Sequence, residues 1–548
     1  MIILGLTSTF SEDPAAALIV DGKLVAMVEE ERLIRLKHAP RMAPERAADY
    51  CLSCAGIRLE DVDFVAIGFS SPREIFWDNC RTKVGNLLRG EEILRSFREE
   101  IRYARLHSFY LERMAKFLHP KDKVVFVRHH LAHAASTYSL SGFKEANIIS
   151  LDGSGGQDSG LLAVGRDGNI EILETVDREN SYGEFYERIT GALGFRMHND
   201  EGKVMGLAAY GDPKDEVFPF FDWNRSVPHL KRKQFAEYLQ TIEPRKREQP
   251  PSEYHQNIAA RLQFTLEEAV KQIKEYLYKK TGIENLCMAG GTALNCSMNG
   301  KLLESGHVNR IFIQPAAGDA GSALGAAAEV YRRKSGKPVD TRLRHAYWGP
   351  EYDNGEIEKA LKISKVPYEK CDDVADRVAE LLAQDKIVGW HQGRMEVGPR
   401  ALGGRSILAN PSRIEMKDKV NNFVKFREPW RPFAPSMLAE ESGNYVTNNH
   451  ESPFMILAFQ ARKEKVDLFP AAIHVDNSCR PQTVEREVNP KYYDMIAKFR
   501  DRVGIPIVLN TSFNVAGQPI VCRPIEAIST FYACGLDALA IGDFLLTK

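Results

Sequence analysis

A segment that occurs twice constrains this chain most. "IILGLTSTFSEDPAAALIVDGKLVAMVEE", from Ile2, reads as a strand, a polar turn, an apolar strand, an Asp-Gly turn and a third strand. "NIISLDGSGGQDSGLLAVGRDGNIEILET", from Asn147, runs through the same succession. Both Asp-Gly pairs, Asp21-Gly22 and Asp167-Gly168, fall between alternating or β-branched runs, the sequence signal for a tight two-residue hairpin. Two similar halves are therefore predicted in the N-terminal part of the chain.

A duplicated strand-hairpin unit with helices is the plan of the actin-like ATPase superfold, two RNase H-like halves with nucleotide between them, and this analogy says where to look for a site. At 548 residues the chain exceeds the size at which a single core stops growing, so two or more domains are expected. "KSGKPVDTRLRHAYWGPEYDNG" carries Pro, Gly and charge without a sustained period, which places a boundary near residue 350. The expectation is an α/β chain of two domains, 1–350 and 351–548. The second contains strands such as "KIVGWHQG" and "GIPIVLNTSFN" with helices between them. Between the two halves, "NLLRGEEILRSFREEIRYARLHSFYLERMAKFL" has helical period and abundant arginine, and reads as a solvated helix pair.

The 73 basic and 74 acidic side chains nearly cancel, which argues against a broad electrostatic footprint for nucleic acid. No apolar run approaches the roughly 18 residues of a membrane span, and acidic Glu12 and Asp13 follow the first ten residues where a basic leader would stand. A cytoplasmic location with reduced thiols is expected. The one CxxC, Cys51 and Cys54, reads as two buried small side chains on a helix.

"RHHLAHAAS" sets His129 and His133 four residues apart, on one face of a helix, where both rings could reach a single metal ion. Alone, such a pair is equally well read as two histidines satisfied by backbone and water. Asp152 ends the apolar strand of "IISLDGSGG" and Asp319 sits in the small-residue turn of "PAAGDAGSALG". Two imidazoles with two carboxylates suit a divalent transition metal such as Fe, Zn or Mn, while each aspartate separately also reads as a cap or turn residue. "NLCMAGGTALNCSMNGKLLESG" passes from a strand through Gly290-Gly291 into a helix expected to offer bare N–H groups to an anion or adenosine. Further on, Arg394, Arg400 and Arg405 stand among glycines, and Lys425, Arg427 and Arg431 beside Trp430 and Phe433. With Arg480 and the neutral donors Asn510, Ser512 and Asn514, they outline a pocket for a small phosphorylated metabolite.

These motifs, together with "EEERLIRLKH", "EGKVMGLAAYGDP", "WRPFAPS" and "RPQTV", run in order along the whole chain and resemble the NodU/CmcH family of O-carbamoyltransferases. The resemblance implies an actin-like N-terminal domain followed by a YrdC-like domain. It implies carbamoyl phosphate and ATP as substrates, Mg2+ with the ATP, a carbamoyl adenylate intermediate, and a small-molecule hydroxyl as acceptor. It implies Fe2+ held by His129, His133, Asp152 and Asp319, and a nucleotide cleft at Gly290, Gly291 and Asp152. Lys37, Arg400, Arg405, Lys425, Arg431, Arg480, Asn510 and Ser512 fall to carbamoyl phosphate and ATP, with Lys37, Arg400 and Arg431 in catalytic positions. Neither nucleic acid nor a membrane is implied as a partner; a homodimer is the oligomer considered. One departure stands out: where the family reads "HDASAAL", this chain has "SEDPAAAL", so Glu12 holds the histidine position. The general base then falls to Glu12, Asp13 or another group. A regulatory metal- and nucleotide-binding protein without turnover, or carbamoyl transfer of the tRNA-modification type, are the alternatives.

Overall fold

The two sequence repeats fold into two sheets of one topology. The computed structural model describes residues 1–77, 93–246, 249–448 and 450–548. In the first sheet, strands β1 (Ile2–Leu6), β2 (Ala15–Val20), β3 (Lys23–Glu29), β4 (Phe64–Ile67) and β5 (Val124–Phe126) lie in the order β3-β2-β1-β4-β5. In the second, β6 (Glu145–Leu151), β7 (Asp158–Arg166), β8 (Asn169–Asp177), β9 (Asn285–Ala289) and β10 (Arg310–Ile313) lie in the order β10-β9-β6-β7-β8. In each sheet the first three strands form an antiparallel meander and the last two add parallel to its first strand. Both hairpins turn on the predicted pairs: φ is 48° and 82° at Asp21 and Gly22, and 49° and 82° at Asp167 and Gly168. Positive φ at both central residues is the turn whose twist matches its strands. The duplicated actin-like arrangement expected from the sequence is therefore present.

The same part of the chain contains helices α1 (Glu30–Ile34), α2 (His129–Ser141) and α3 (Asp319–Ser335). Helix α2 is buried along nearly its whole length, as its small and apolar composition requires, and ends at Gly142 with φ 76°. Helix α3 is held between α2 and the first sheet by absent side chains. A Cβ on Gly325 would lie 1.8 Å from the Ala132 carbonyl oxygen, and one on Gly5 would lie 2.0 Å from the Ala323 carbonyl oxygen. Backbone meets backbone at both places, which only glycine permits.

The described residues form two compact units: Met1–Glu184, Leu277–Leu294 and Asn309–Leu343 in the first, Phe185–Tyr276, Asn295–Val308 and Arg344–Lys548 in the second. Both five-stranded sheets belong to the first unit. The second contains an eight-stranded mixed sheet of β11 (Glu369–Lys370), β12 (Val388–His391), β13 (Arg405–Ala409), β14 (Ala434–Leu438), β15 (Gln482–Val484), β16 (Ile507–Ser512), β17 (Ala538–Ile541) and β18 (Phe544–Thr547), ordered β11-β18-β17-β12-β13-β16-β14-β15. Alternation along β12 sends its neighbours to opposite faces. Gly389 lies under Phe513 and Leu539, in a core completed by Ile357, Leu361, Ile528 and Phe531. Trp390 turns the other way, toward Tyr492, and donates its indole N–H to the Gly403 carbonyl at 2.9 Å. Helices thus cover both faces of this sheet.

Helix Ile93–Met114 occupies part of the arginine-rich stretch, whose residues 86–92 lie outside the described residues. Cys51 is buried, but Cys54 is exposed at the last turn of helix Glu45–Cys54, so only one of that pair is a core residue. Among the described residues no helix is long and apolar enough to cross a membrane.

Candidate metal centre and anion pocket

The first turns of α2, the end of β6 and the first residue of α3 meet at one point. His129 and His133, buried on one face of α2, bring their Nε2 atoms to 3.0 Å of each other. Asp152 Oδ2 stands 3.4 Å from His129 Nε2 and 3.0 Å from His133 Nε2; Asp319 Oδ1 stands 3.6 and 3.8 Å from the same two atoms. One ligand atom from each residue falls within 4.8 Å of the other three. Four donors about 2.0–2.2 Å from one cation are separated by about 3–3.6 Å along the edges of a tetrahedron, so the spacing suits an ion.

Each carboxylate has one oxygen fixed and the other aimed. Asp152 Oδ1 accepts the Gly153 N–H at 2.8 Å, and Asp319 Oδ2 accepts the Glu12 N–H at 2.7 Å, leaving Oδ2 and Oδ1 respectively toward the imidazoles. Such backing orients metal ligands. Among the described residues neither His129 Nδ1 nor His133 Nδ1 has a hydrogen-bond partner. Coordination through Nε2 would place the proton on Nδ1 and replace the Nε2 contacts to Asp152 and Asp319. Two carboxylates beside two neutral imidazoles also balance a divalent charge, and the residues present fit such an ion. Without one, protons serve: burial opposes charge on His133, yet hydrogen bonds from its ring to Asp152 and Asp319 lift it to about 9. Burial likewise opposes charge on Asp152, and the two histidines hold it well below the usual carboxylate range. The third histidine takes no part, since His130 donates its Nε2–H to the Asp158 carbonyl at 3.0 Å and is held neutral, by burial first, down to about 3.

The glycine turn belongs to the same place. A Cβ on Gly290, where φ is 87°, would lie 2.2 Å from the Leu151 carbonyl oxygen, and one on Gly291 would lie 2.9 Å from Asp152 Oδ1. Gly290, Gly291 and Asp152 are thus brought together, as expected. The helix after them differs from expectation. Helix Cys296–Glu304 starts only after a 3₁₀ turn, and Asn295 caps it by accepting the Met298 N–H at 3.0 Å, so its first turn is not bare.

In the second unit the arginines divide into two groups. Arg405 is fully buried and donates to the carbonyls of Gln392, Gly393, Gly404, Pro350 and Cys522 at 3.0–3.3 Å. Arg394 donates to the carbonyls of Trp348 and Gly349, and Arg427 to Asn421 and the Pro432 carbonyl while lying 4.1 Å over the Phe433 ring. These three brace the backbone. Arg400, Arg431 and Arg480 form the other group. Burial, then Arg480 and Arg431, push Arg400 down to about 9 despite an opposing contribution from Cys296. Burial also lowers Arg431, against Glu428, which lies 3.7 Å away, and Asp200. Positive charges crowded out of water in this way favour a bound anion.

Lys425 is more committed than the sequence suggested. Its Nζ donates to the Ser512 carbonyl and hydroxyl and to Asn514 Oδ1 and carbonyl at 2.8–3.2 Å, tying β16 to the segment before β14. Asn510 donates to the Ala401 carbonyl at 3.1 Å and to Ser436 at 3.0 Å, while its buried Oδ1 has no partner among the described residues. Sequence reasoning overlooked Glu396, whose Oε1 accepts the N–H groups of Leu402, Gly404 and Arg405 and so shapes the loop that carries Arg400. It also overlooked Lys203, bonded to Glu428 at 2.7 Å and Asp200 at 3.0 Å beside Arg431. An acid embedded in "RMEVGPRALGG" was the only signal for the first; no local pattern marks the second. Lys37 and Glu12 lie in the first unit, with Glu12 joined to the candidate ligand Asp319 through its backbone N–H.

Residues 2–328 match the family model "Carbamoyltransferase N-terminus" and residues 379–548 match "Carbamoyltransferase C-terminus". Nodulation protein NolNO of Sinorhizobium fredii is 40% identical to the chain over 557 residues, which cover all of this chain and 80% of the relative. Nodulation protein NolO of Bradyrhizobium diazoefficiens is 42% identical, covering 77% of this chain and 79% of its own. The 3'-hydroxymethylcephem-O-carbamoyltransferase of Amycolatopsis lactamdurans is 30% identical, covering 63% and 64%. The chain belongs to the carbamoyltransferase family and is an enzyme of carbamoyl transfer.

Proposed function

We propose that this enzyme is an ATP-dependent O-carbamoyltransferase that converts carbamoyl phosphate to carbamoyl adenylate and passes the carbamoyl group to a hydroxyl of a small natural product or sugar. The single observation that carries the reading is the convergence of His129, His133, Asp152 and Asp319 to within 4.8 Å, beside the Gly290-Gly291 turn. Nitrogen donates into a carbamate carbonyl and makes it a poor electrophile, so activation as a mixed anhydride with AMP is needed. In the reaction proposed, carbamoyl phosphate loses phosphate to water, and a carbamate oxygen attacks the α-phosphorus of ATP to release pyrophosphate. We assign this half to residues 351–548, a YrdC-like domain, where Arg400, Arg431 and Arg480 stabilise the departing anionic oxygens. Lys425 holds Ser512 and Asn514 in place, and Asn510 Oδ1 is a buried acceptor open to the carbamoyl amide.

We assign transfer to residues 1–350. His129, His133, Asp152 and Asp319 would hold Fe2+, which when bound supplies a Lewis acid for the carbonyl and the adenylate phosphate. Gly290 and Gly291 let the nucleotide approach closely, Lys37 offers positive charge to its phosphate, and Mg2+ accompanies ATP. The acceptor hydroxyl attacks the carbamoyl carbon and AMP leaves. Anaerobic, iron-loaded protein given ATP and carbamoyl phosphate is expected to release pyrophosphate, and candidate polyols to gain the mass of one carbamoyl group. Metal-replete protein that makes no pyrophosphate would instead be a regulatory binder without turnover.

A further inference from the structure

The loop over residues 35–41 holds a backbone that most side chains avoid. Arg35, His38, Ala39 and Arg41 all adopt positive φ, 61°, 63°, 36° and 60°, and none is glycine. Each such residue costs roughly 1–2 kcal/mol, so its surroundings must enforce it. Glu31, in α1, does much of this. Its carbonyl accepts the Arg35 N–H at 3.0 Å, its Oε2 accepts the His38 N–H at 2.6 Å, and its Oε1 pairs with Arg32 at 2.5 Å. The result is that His38 Nδ1 meets Asp13 Oδ1 at 2.8 Å. Asp13 follows Glu12 directly, and the Glu12 N–H is bonded to Asp319 at 2.7 Å. An imidazole–carboxylate pair is thereby linked, through one peptide unit, to the four-donor cluster.

The two side chains are accessible, with 36% of His38 and 37% of Asp13 exposed. Asp13, Glu31 and His38 also have ligand atoms within 4.8 Å of one another, but both oxygens of Glu31 are already engaged, which disfavours a second cation there. We propose that His38, oriented by Asp13, is the general base that takes the proton from the acceptor hydroxyl. This rests on the transfer reaction proposed above. The hydroxyl oxygen forms its bond to the carbamoyl carbon as its proton passes to His38 Nε2; the bond from that carbon to the phosphate oxygen breaks, AMP leaves with the electron pair, and His38 returns the proton to solvent. Asp13 positions the ring and stabilises its charged form.

The charges facing His38 are Asp13, Glu31 and Lys37. The hydrogen bond to Asp13 raises its pKa above the ordinary imidazole value, burial opposes this, Glu31 adds to it and Lys37 subtracts. A base works deprotonated, so transfer should rise with pH along a limb set by this raised value.

Two variants of the full, iron-loaded chain test the proposal, with water as the accepting hydroxyl so that no natural acceptor is needed. His38→Asn removes the base while keeping a residue that tolerates positive φ. Carbamoyl-phosphate-dependent exchange of labelled pyrophosphate into ATP reports the first half-reaction and the integrity of the protein, and AMP formation with ammonia release reports transfer to water. The ratio of transfer to exchange is expected to fall about 100-fold in His38→Asn. In Asp13→Asn the limb of that ratio against pH is expected to move to lower pH. A ratio within about twofold of the parent in His38→Asn, or an unmoved limb in Asp13→Asn, overturns the assignment. A parent enzyme without exchange would defeat the transfer reaction itself, and the base with it.

Discussion

At the scale of single residues the two sites call for different losses. Arg431 stands in the anion pocket, so Arg431→Ala should lower carbamoyl-phosphate-dependent pyrophosphate exchange about 100-fold or more. His133 is a proposed ligand in the other site, and His133→Ala should leave exchange largely intact while weakening metal binding at least about 100-fold and halting transfer, both read from one preparation. Loss of exchange in His133→Ala, or transfer at the parent rate by His133→Ala without bound metal, would contradict these roles. The histidine spacing and the aspartates were legible because a helix repeats every four residues on one face and strand ends are marked by Gly. The direction of an arginine was not legible. Arg400 and Arg405 read alike in "GPRALGGRS", yet one joins the crowded cluster and the other donates to five carbonyls, a difference fixed by strand alternation and by Glu396.

At the scale of elements, α3 positions one of the four donors of the proposed metal site. Its first residue is Asp319, and Gly325, two turns on, is where it touches α2. A methyl group at Gly325 meets the Ala132 carbonyl and must push the helices apart, so Gly325→Ala should cost about 1–3 kcal/mol in denaturant unfolding and lower metal affinity as well. Unchanged stability with full metal binding would show that the helices have room to shift. The other end of α3 is anchored by Glu329, which is buried and bonds Arg332 at 2.8 Å and Arg333 at 2.7 Å. Burial opposes its charge, but these arginines hold its pKa below the ordinary value. A depressed carboxylate stabilises the fold above its unfolded pKa, and that contribution is lost as pH falls through the folded value. Glu329→Gln should therefore cost about 1–3 kcal/mol at pH 7, since both arginines are partly exposed, with the gap to the parent closing in acid below the usual carboxylate range. Equal gaps at pH 7 and in acid would contradict this. The hairpins, the strand order and the Ala-rich helices follow from local pattern. The Gly5 and Gly325 contacts and the Asn295 cap arise from packing between segments far apart in sequence, which no local window contains.

At the scale of the whole molecule, the repeat explains why four donors from three distant segments can meet. Each half has the same five strands, Asp152 directly follows the last residue of β6, and α2 and α3 deliver the remaining candidate ligands. The second unit adds a mixed sheet with the arginine group, and its segments alternate along the chain with those of the first. Metal content and X-ray absorption of anaerobically iron-loaded protein test the centre most directly, in the parent, His133→Ala and Asp319→Asn. One iron per chain is expected in the parent, with nitrogen and oxygen neighbours at about 2.0–2.2 Å and the scattering of two imidazoles, reduced to one imidazole or lost with the metal in His133→Ala. No stoichiometric iron in the parent, or the same iron content and imidazole scattering in all three proteins, would contradict a metal centre at these four residues.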